Sequence, residues 1–129
     1  MKKIIIGLLT LSSATVYANS PEFDLMVSGA TYAALTDNVC GLHVEKRNDY
    51  QLVVTAVKNP RTDLPCNGQG WTFNVSCNGS QRCFATFSNK DSASLQIMSD
   101  GNFTFRYDAY DSYSMSRKFG ETIKFIRYP

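Results

Sequence analysis

The sequence predicts an all-β domain, a small antiparallel sandwich or closed barrel of about seven to eight short strands, stapled by disulfides. Three observations support this class. Apolar and polar residues alternate with a period of two along most of the chain. The alternating runs are rich in aromatic and β-branched residues, which favour strands. The four cysteines all follow an N-terminal leader, and an even number is typical of a disulfide framework in a small exported domain.

The first 18 residues have the features of a cleaved bacterial-type signal peptide. Lys2 and Lys3 form a positive start, an apolar run follows that is too short to span a bilayer as a helix, and the segment ends in "VYA". We therefore expect cleavage after Ala18, a single mature domain over residues 19–129, and export to the periplasm or the medium. No later segment has the apolar length that a transmembrane helix needs.

The charge balance argues against nucleic acid as a partner. The full chain carries 13 basic and 11 acidic residues, and two of the basic residues leave with the leader. The mature domain is therefore close to neutral. It lacks the overall basic character that nucleic acids or anionic membranes normally require.

Strand-like runs follow one another along the mature chain, separated by short turn signals. One such signal is Asn48-Asp49, between two alternating segments. Residues 28–38 are the one stretch where a short helix also fits the pattern. The predicted strands cover residues 22–27, 30–35, 42–47, 50–57, 71–77, 82–88, 93–99, 102–110 and 121–128.

The register of one hairpin follows from "SDG", Ser99 to Gly101. A three-residue loop puts the glycine at the left-handed position that follows a type I turn. One face of the hairpin then becomes apolar throughout. The predicted facing pairs are Ile97 with Phe103, Leu95 with Phe105, and Ala93 with Tyr107.

The stretch "CNGSQRC" predicts a covalent link across a second hairpin. A five-residue turn at 78–82 places Cys77 opposite Cys83 and puts most apolar neighbours on one face, with Phe84 as the exception. The same register faces Val75 with Ala85, Phe73 with Phe87, and Trp71 with Asn89. The loop is short, so the bridge should stabilise the fold by about 2–3 kcal/mol.

Two other uses of these cysteines fit the sequence less well. A redox centre usually has two residues between its cysteines at a helix start, and a zinc site needs a second ligand pair nearby. By elimination, Cys40 and Cys66 form the second disulfide. Four cysteines allow three connectivities, so this pairing stays open at the sequence level.

Candidate catalytic groups are few. His43 is the single histidine, and alternation places it with Glu45 on an outward face. A nucleophilic triad would need this histidine, and the chain has no G-x-S-x-G motif. Asp108 and Asp111 are the remaining carboxylate pair that could support a hydrolysis. The sequence favours a non-enzymatic role, with no cofactor and no metal.

Two segments are candidates for binding a partner. Tyr107, Tyr110 and Tyr113 recur every three residues among aspartates and serines, and tyrosine suits both sugar stacking and protein recognition. Residues 58–70 form the longest stretch without strand character, with two prolines and with Cys66 as an anchor. In that loop Arg61 and Leu64 are the expected contact residues, as in a stiffened inhibitor loop.

The motif "SGATY", Ser28 to Tyr32, is similar to the SGxxY motif of bacterial periplasmic lysozyme inhibitors of the C-type family. That resemblance implies a small disulfide-bearing β-barrel with a loop that enters an enzyme cleft. In the family the motif follows several strands, whereas here it lies near the predicted mature N-terminus. No residue roles are therefore transferred.

Together these observations favour an exported binding protein for a protein or glycan, and specifically an inhibitor of a secreted or host enzyme. Two alternatives remain open. One is a structural or surface subunit that assembles through an edge strand at residues 121–128. The other is a small hydrolase that uses Asp108 and Asp111.

Overall fold

A computed structural model gives the fold. Of the 129 residues, it describes most of the chain after the leader. For Thr86, Tyr107 and Asp108 the description covers the backbone alone. The described residues are 20–36, 39–62, 65–66, 68–78, 80–86, 92–108 and 122–129.

The described chain forms a closed barrel of eight antiparallel strands, in which each strand pairs with its neighbours in sequence. The last strand pairs with both the seventh and the first, so the sheet closes and β8 has no free edge. This confirms the predicted all-β class and decides for the barrel over the sandwich. The strands are β1 (Ala30–Ala34), β2 (Gly41–Lys46), β3 (Gln51–Val57), β4 (Thr72–Ser76), β5 (Arg82–Thr86), β6 (Ser92–Ile97), β7 (Phe103–Asp108) and β8 (Thr122–Tyr128).

Side chains fill the barrel interior. An eight-stranded barrel is just wide enough for its inward residues to meet. Phe103 stacks on Phe125 with ring centroids 5.1 Å apart, and the centroid of the Tyr32 ring lies 4.9 Å from that of Phe103. Leucines, valines and the two disulfides complete the buried cluster.

Both predicted hairpin registers are confirmed where the structure describes them. All three pairs predicted between β6 and β7 are present. Between β4 and β5, Ser76 faces Phe84, which is the register that brings Cys77 opposite Cys83, and these cysteines form a disulfide. The predicted partners Phe87 and Asn89 lie outside the described residues.

The Cys77–Cys83 disulfide links β4 and β5, which share few backbone ladder pairs in the described part of the chain. Ser76 with Phe84 is the one ladder pair found there within the described residues, whereas β2 and β3 share six. The Cys77–Cys83 bridge therefore adds a covalent link to the ladder that is shortest among the described residues.

The strand predicted at residues 22–27 is wrong, because this segment starts with a short helix, α1 (Pro21–Leu25). The alternation of apolar residues suggested a strand, but Phe23 and Met26 are buried while Leu25 is exposed, which is a helical spacing. Ser20 caps the helix, since its Oγ accepts the Phe23 N–H at 3.1 Å, and proline occupies the first helical position. The alternative helix at residues 28–38 is also wrong, since β1 runs through it.

Helix α1 closes one end of the barrel, which we call the helix end. Phe23 and Met26 belong to the buried cluster, and the Lys46 ammonium lies 5.0 Å from the centre of the Phe23 ring. Leu25 packs against the turn between β6 and β7, where Gly101 has a φ of +86°. The short turns between β2 and β3, β4 and β5, and β6 and β7 lie at this same end.

The "SGATY" segment joins α1 to β1 through local hydrogen bonds. Ser28 Oγ accepts the Lys46 N–H at 2.8 Å, and Gly29 donates its own N–H to Val44 O at 2.8 Å. The buried Tyr32 hydroxyl accepts the Val27 N–H at 3.0 Å. Burial raises the pKa of Tyr32 above its ordinary value. In this chain the motif therefore anchors the N-terminal segment.

Gly101→Ala is expected to destabilise the protein more than Gly29→Ala does. Both glycines have positive φ, so both substitutions introduce backbone strain. At Gly101 the new Cβ would also lie 2.8 Å from Leu25 Cβ and from its carbonyl oxygen, whereas at Gly29 nothing lies within 4 Å. This overlap should add about 1–3 kcal/mol to the loss. Equal losses in urea unfolding would show that α1 does not pack on this turn.

Candidate binding site at the loop end of the barrel

The up-and-down strand order places alternate connections at opposite ends of the barrel. The end opposite α1, here called the loop end, carries the connections after β1, β3, β5 and β7. The candidate loop at residues 58–70 and the connection that contains Tyr110 and Tyr113 are therefore attached to the same end. The strand ends that flank the two predicted binding segments thus lie at one end of the fold.

Asn59 fixes the start of the 58–70 loop. Its side chain is fully buried, with 0% exposure. The amide Oδ1 accepts the Ala34 N–H at 3.2 Å, and Nδ2 donates to Ala34 O at 3.0 Å. The side chain thus pairs with the end of β1 as a neighbouring strand would. Sequence reasoning missed this residue, although its position before Pro60 marked a break in the strand.

Gly41, at the start of β2, also packs closely against the start of the 58–70 loop. A Cβ on Gly41 would lie 3.0 Å from Pro60 Cδ and 3.3 Å from Asn59 Cα. Only a glycine at the start of β2 lets the loop approach this closely. The base of the loop is therefore held between β1 and β2.

The predicted Cys40–Cys66 disulfide is confirmed, and it ties the loop to the residue that precedes β2. The far end of the loop returns to the sheet through two backbone hydrogen bonds. Gly70 donates its N–H to Ala56 O at 2.7 Å, and Ala56 donates its N–H to Trp71 O at 2.8 Å. The loop is thus fixed at its start, near its middle and at its end.

Arg61 lies exposed at the base of this loop. Its Nη1 donates to Ala34 O at 3.1 Å, the carbonyl that Asn59 also contacts. The guanidinium is therefore oriented by the scaffold while it remains accessible to solvent. The predicted contact role of Arg61 stays a prediction, and Leu64 lies outside the described residues.

The other predicted site residues are only partly described. Tyr107 pairs with Ala93 by its backbone, and Asp108 is the last residue of β7, opposite Ser92. Tyr110, Tyr113 and Asp111 lie outside the described residues. Both the tyrosine surface and the carboxylate pair therefore stay predictions.

His43 faces outward, as the alternation predicted. Its Nδ1 lies 3.3 Å from Thr31 Oγ1, and its Nε2 lies 3.2 Å from Glu45 Oε2. Both ring nitrogens thus have partners on the barrel wall. Within the described ranges, no three histidine, cysteine or acidic side chains are grouped as metal ligands.

No helix in the described part of the chain is long and apolar enough to cross a membrane. Comparison of the chain with protein-family models, with curated proteins and with solved structures found no match.

Proposed function

We propose that this protein is an exported binding protein that presents the 58–70 loop to a protein or glycan partner, acting as an inhibitor of a secreted or host enzyme. The observation that supports this most is the bracing of that loop by Asn59, by the Cys40–Cys66 disulfide and by the return through Gly70. A loop held in one conformation loses little entropy on binding, which leaves more of the contact energy for affinity.

The rest of the fold is consistent with this use. Binding residues often lie on loops that a rigid scaffold positions. The interior is filled and α1 covers the helix end, so the loop end offers the longest connections for contact. Two disulfides are consistent with an oxidising compartment, which agrees with export through the predicted leader.

The test measures inhibition of a panel of secreted glycan and peptide hydrolases by the purified protein. We expect at least one enzyme to be inhibited, and Arg61→Ala/Leu64→Ala to weaken inhibition by about tenfold or more, as for loss of a central contact. Arg47→Ala is the matched control, because Arg47 is also exposed and also donates one guanidinium hydrogen bond, but lies at the helix end.

Two results would contradict the proposal. One is that no enzyme in the panel is inhibited and no partner is captured by the immobilised protein. The other is that the double variant and the Arg47→Ala control bind a captured partner as tightly as the unaltered protein does. In the second case the partner would contact a different surface.

A further inference from the structure

A shallow groove of about 370 Å³ runs across the outer wall of the barrel, over β5 to β8. This groove is separate from the 58–70 loop and is not part of the surface proposed to inhibit an enzyme. Its volume is at the lower end of the roughly 300–1,000 Å³ range of small-molecule sites. We call it the wall groove, and its defining side chains are Arg82, Phe84, Ser94, Gln96, Thr104 and Arg106.

The strand register places these side chains in two adjacent rows. Phe84 lies opposite Ser94, and Ser94 lies opposite Arg106. In the next row Arg82 lies opposite Gln96, and Gln96 lies opposite Thr104. With strands about 4.8 Å apart, Phe84 and Arg106 are about 10 Å apart across the small side chain of Ser94. The groove is thus a trough with an aromatic ring on one side and a guanidinium on the other.

Phe84 is the anomalous residue of this wall. Its side chain is 56% exposed, although its neighbours on the outer face are polar. An exposed aromatic ring among hydroxyl and amide groups suits a ligand that has both an apolar face and hydrogen-bonding edges. A sugar ring has that combination, because its axial hydrogens form an apolar face and its hydroxyls lie at the rim.

The positive charge of the groove favours an acidic ligand. Arg82 Nε donates to Gln96 Oε1 at 3.2 Å, which holds its guanidinium along the wall. Within the described part of the chain, no hydrogen bond occupies the terminal nitrogens of Arg82. Arg106 adds a second guanidinium, and none of the described lining residues is acidic. Guanidinium groups recognise carboxylates through paired hydrogen bonds.

We propose that the wall groove binds a carboxylate-bearing sugar unit of an acidic glycan. The sugar ring packs on Phe84, its carboxylate pairs with Arg82, and its hydroxyls meet Ser94, Gln96 and Thr104. An acidic peptide strand is the weaker fit, because strand addition needs a free sheet edge and this barrel is closed. This inference concerns the wall and does not depend on the loop.

The test measures binding of three probes by calorimetry: trigalacturonic acid, a neutral galactose trisaccharide and triglutamate. We expect the acidic sugar to bind, the neutral sugar to bind more weakly, and triglutamate to bind least. Raising the salt concentration should weaken binding of the acidic sugar, since a charge pair carries it.

Substitutions at Arg82 and Phe84 test the charge pair and the ring contact separately. Arg82→Gln should weaken trigalacturonate binding by at least about tenfold, as for a hydrogen bond to a charged group. Phe84→Ala should weaken it by about two- to tenfold, whereas Phe84→Tyr keeps the ring and should retain binding. Arg47→Gln is the control, because it removes an exposed arginine from outside the groove.

Several results would overturn the inference. One is that trigalacturonate does not bind. The others are that triglutamate or the neutral sugar binds as tightly as trigalacturonate, or that Arg82→Gln leaves trigalacturonate binding unchanged. Loss of enzyme inhibition after Arg61→Ala/Leu64→Ala with intact sugar binding would separate the two surfaces. Equal thermal unfolding of the Phe84 variants and the unaltered protein would show that lost binding is not lost folding.

Discussion

Phe103→Ala is expected to lower the free energy of unfolding by about 3–5 kcal/mol, as for large-to-small changes at fully buried aromatic sites. Phe103 has 0% exposure, stacks on Phe125 and makes a tilted contact with the Tyr32 ring. Its removal leaves a cavity that the two flanking rings cannot fill without moving their strands. Urea or thermal unfolding of the purified protein, monitored by circular dichroism, measures the change.

Phe84→Ala provides the matched control for this prediction. The residue type and the substitution are the same, but Phe84 points to the outside of the wall and is 56% exposed. We expect a change of about 0.5 kcal/mol or less, as for surface positions. Similar losses for both variants would contradict the inward and outward assignment of the two strands.

Removal of the Cys40–Cys66 disulfide is expected to cost about 3.5 kcal/mol, because the bridge closes a loop with a sequence separation of 26. The double substitution Cys40→Ser/Cys66→Ser also frees the 58–70 loop from the start of β2. We therefore expect lower stability, weaker enzyme inhibition and faster proteolysis within this loop. Unfolding curves, the enzyme inhibition assay, and limited proteolysis followed by mass spectrometry measure the three effects.

Cys77→Ser/Cys83→Ser is the comparison. This disulfide spans a sequence separation of 6, for which loop-closure entropy gives about 2–2.5 kcal/mol. It lies at the helix end, so proteolysis of the 58–70 loop and enzyme inhibition should stay unchanged. A larger loss here than for Cys40→Ser/Cys66→Ser would mean that the short β4–β5 ladder depends on its bridge more than loop entropy predicts.

Local alternation was sufficient to predict most of the barrel. In the β6–β7 hairpin a glycine turn and a period of two fix the register, so the pairing of Ile97 with Phe103 followed directly. The same alternation placed Cys77 opposite Cys83. Strand pairing between sequence neighbours needs no long-range information, and in this fold every pair except β1 with β8 is of that kind.

Features that depend on distant contacts were not predicted. The alternating pattern at residues 22–27 indicated a strand, whereas Ser20-Pro21 is a helix start signal. The segment forms a helix that buries Phe23 against the barrel. Asn59 acts through Ala34, which lies 25 positions earlier in the chain. Phe84 was recognised as an exception, but Ser94 and Arg106 join it only through the register of three strands.

The pairing of β1 with β8 tests the closed barrel most directly, because it is the pairing that joins the first strand to the last and so closes the sheet. Nuclear Overhauser effects and amide exchange of the purified protein measure it. We predict cross-strand effects between Thr31 and Tyr128 and between Ala33 and Ile126, with slow exchange for the paired amides of both strands. Absence of these effects, with fast exchange along one side of β8, would contradict closure of the barrel.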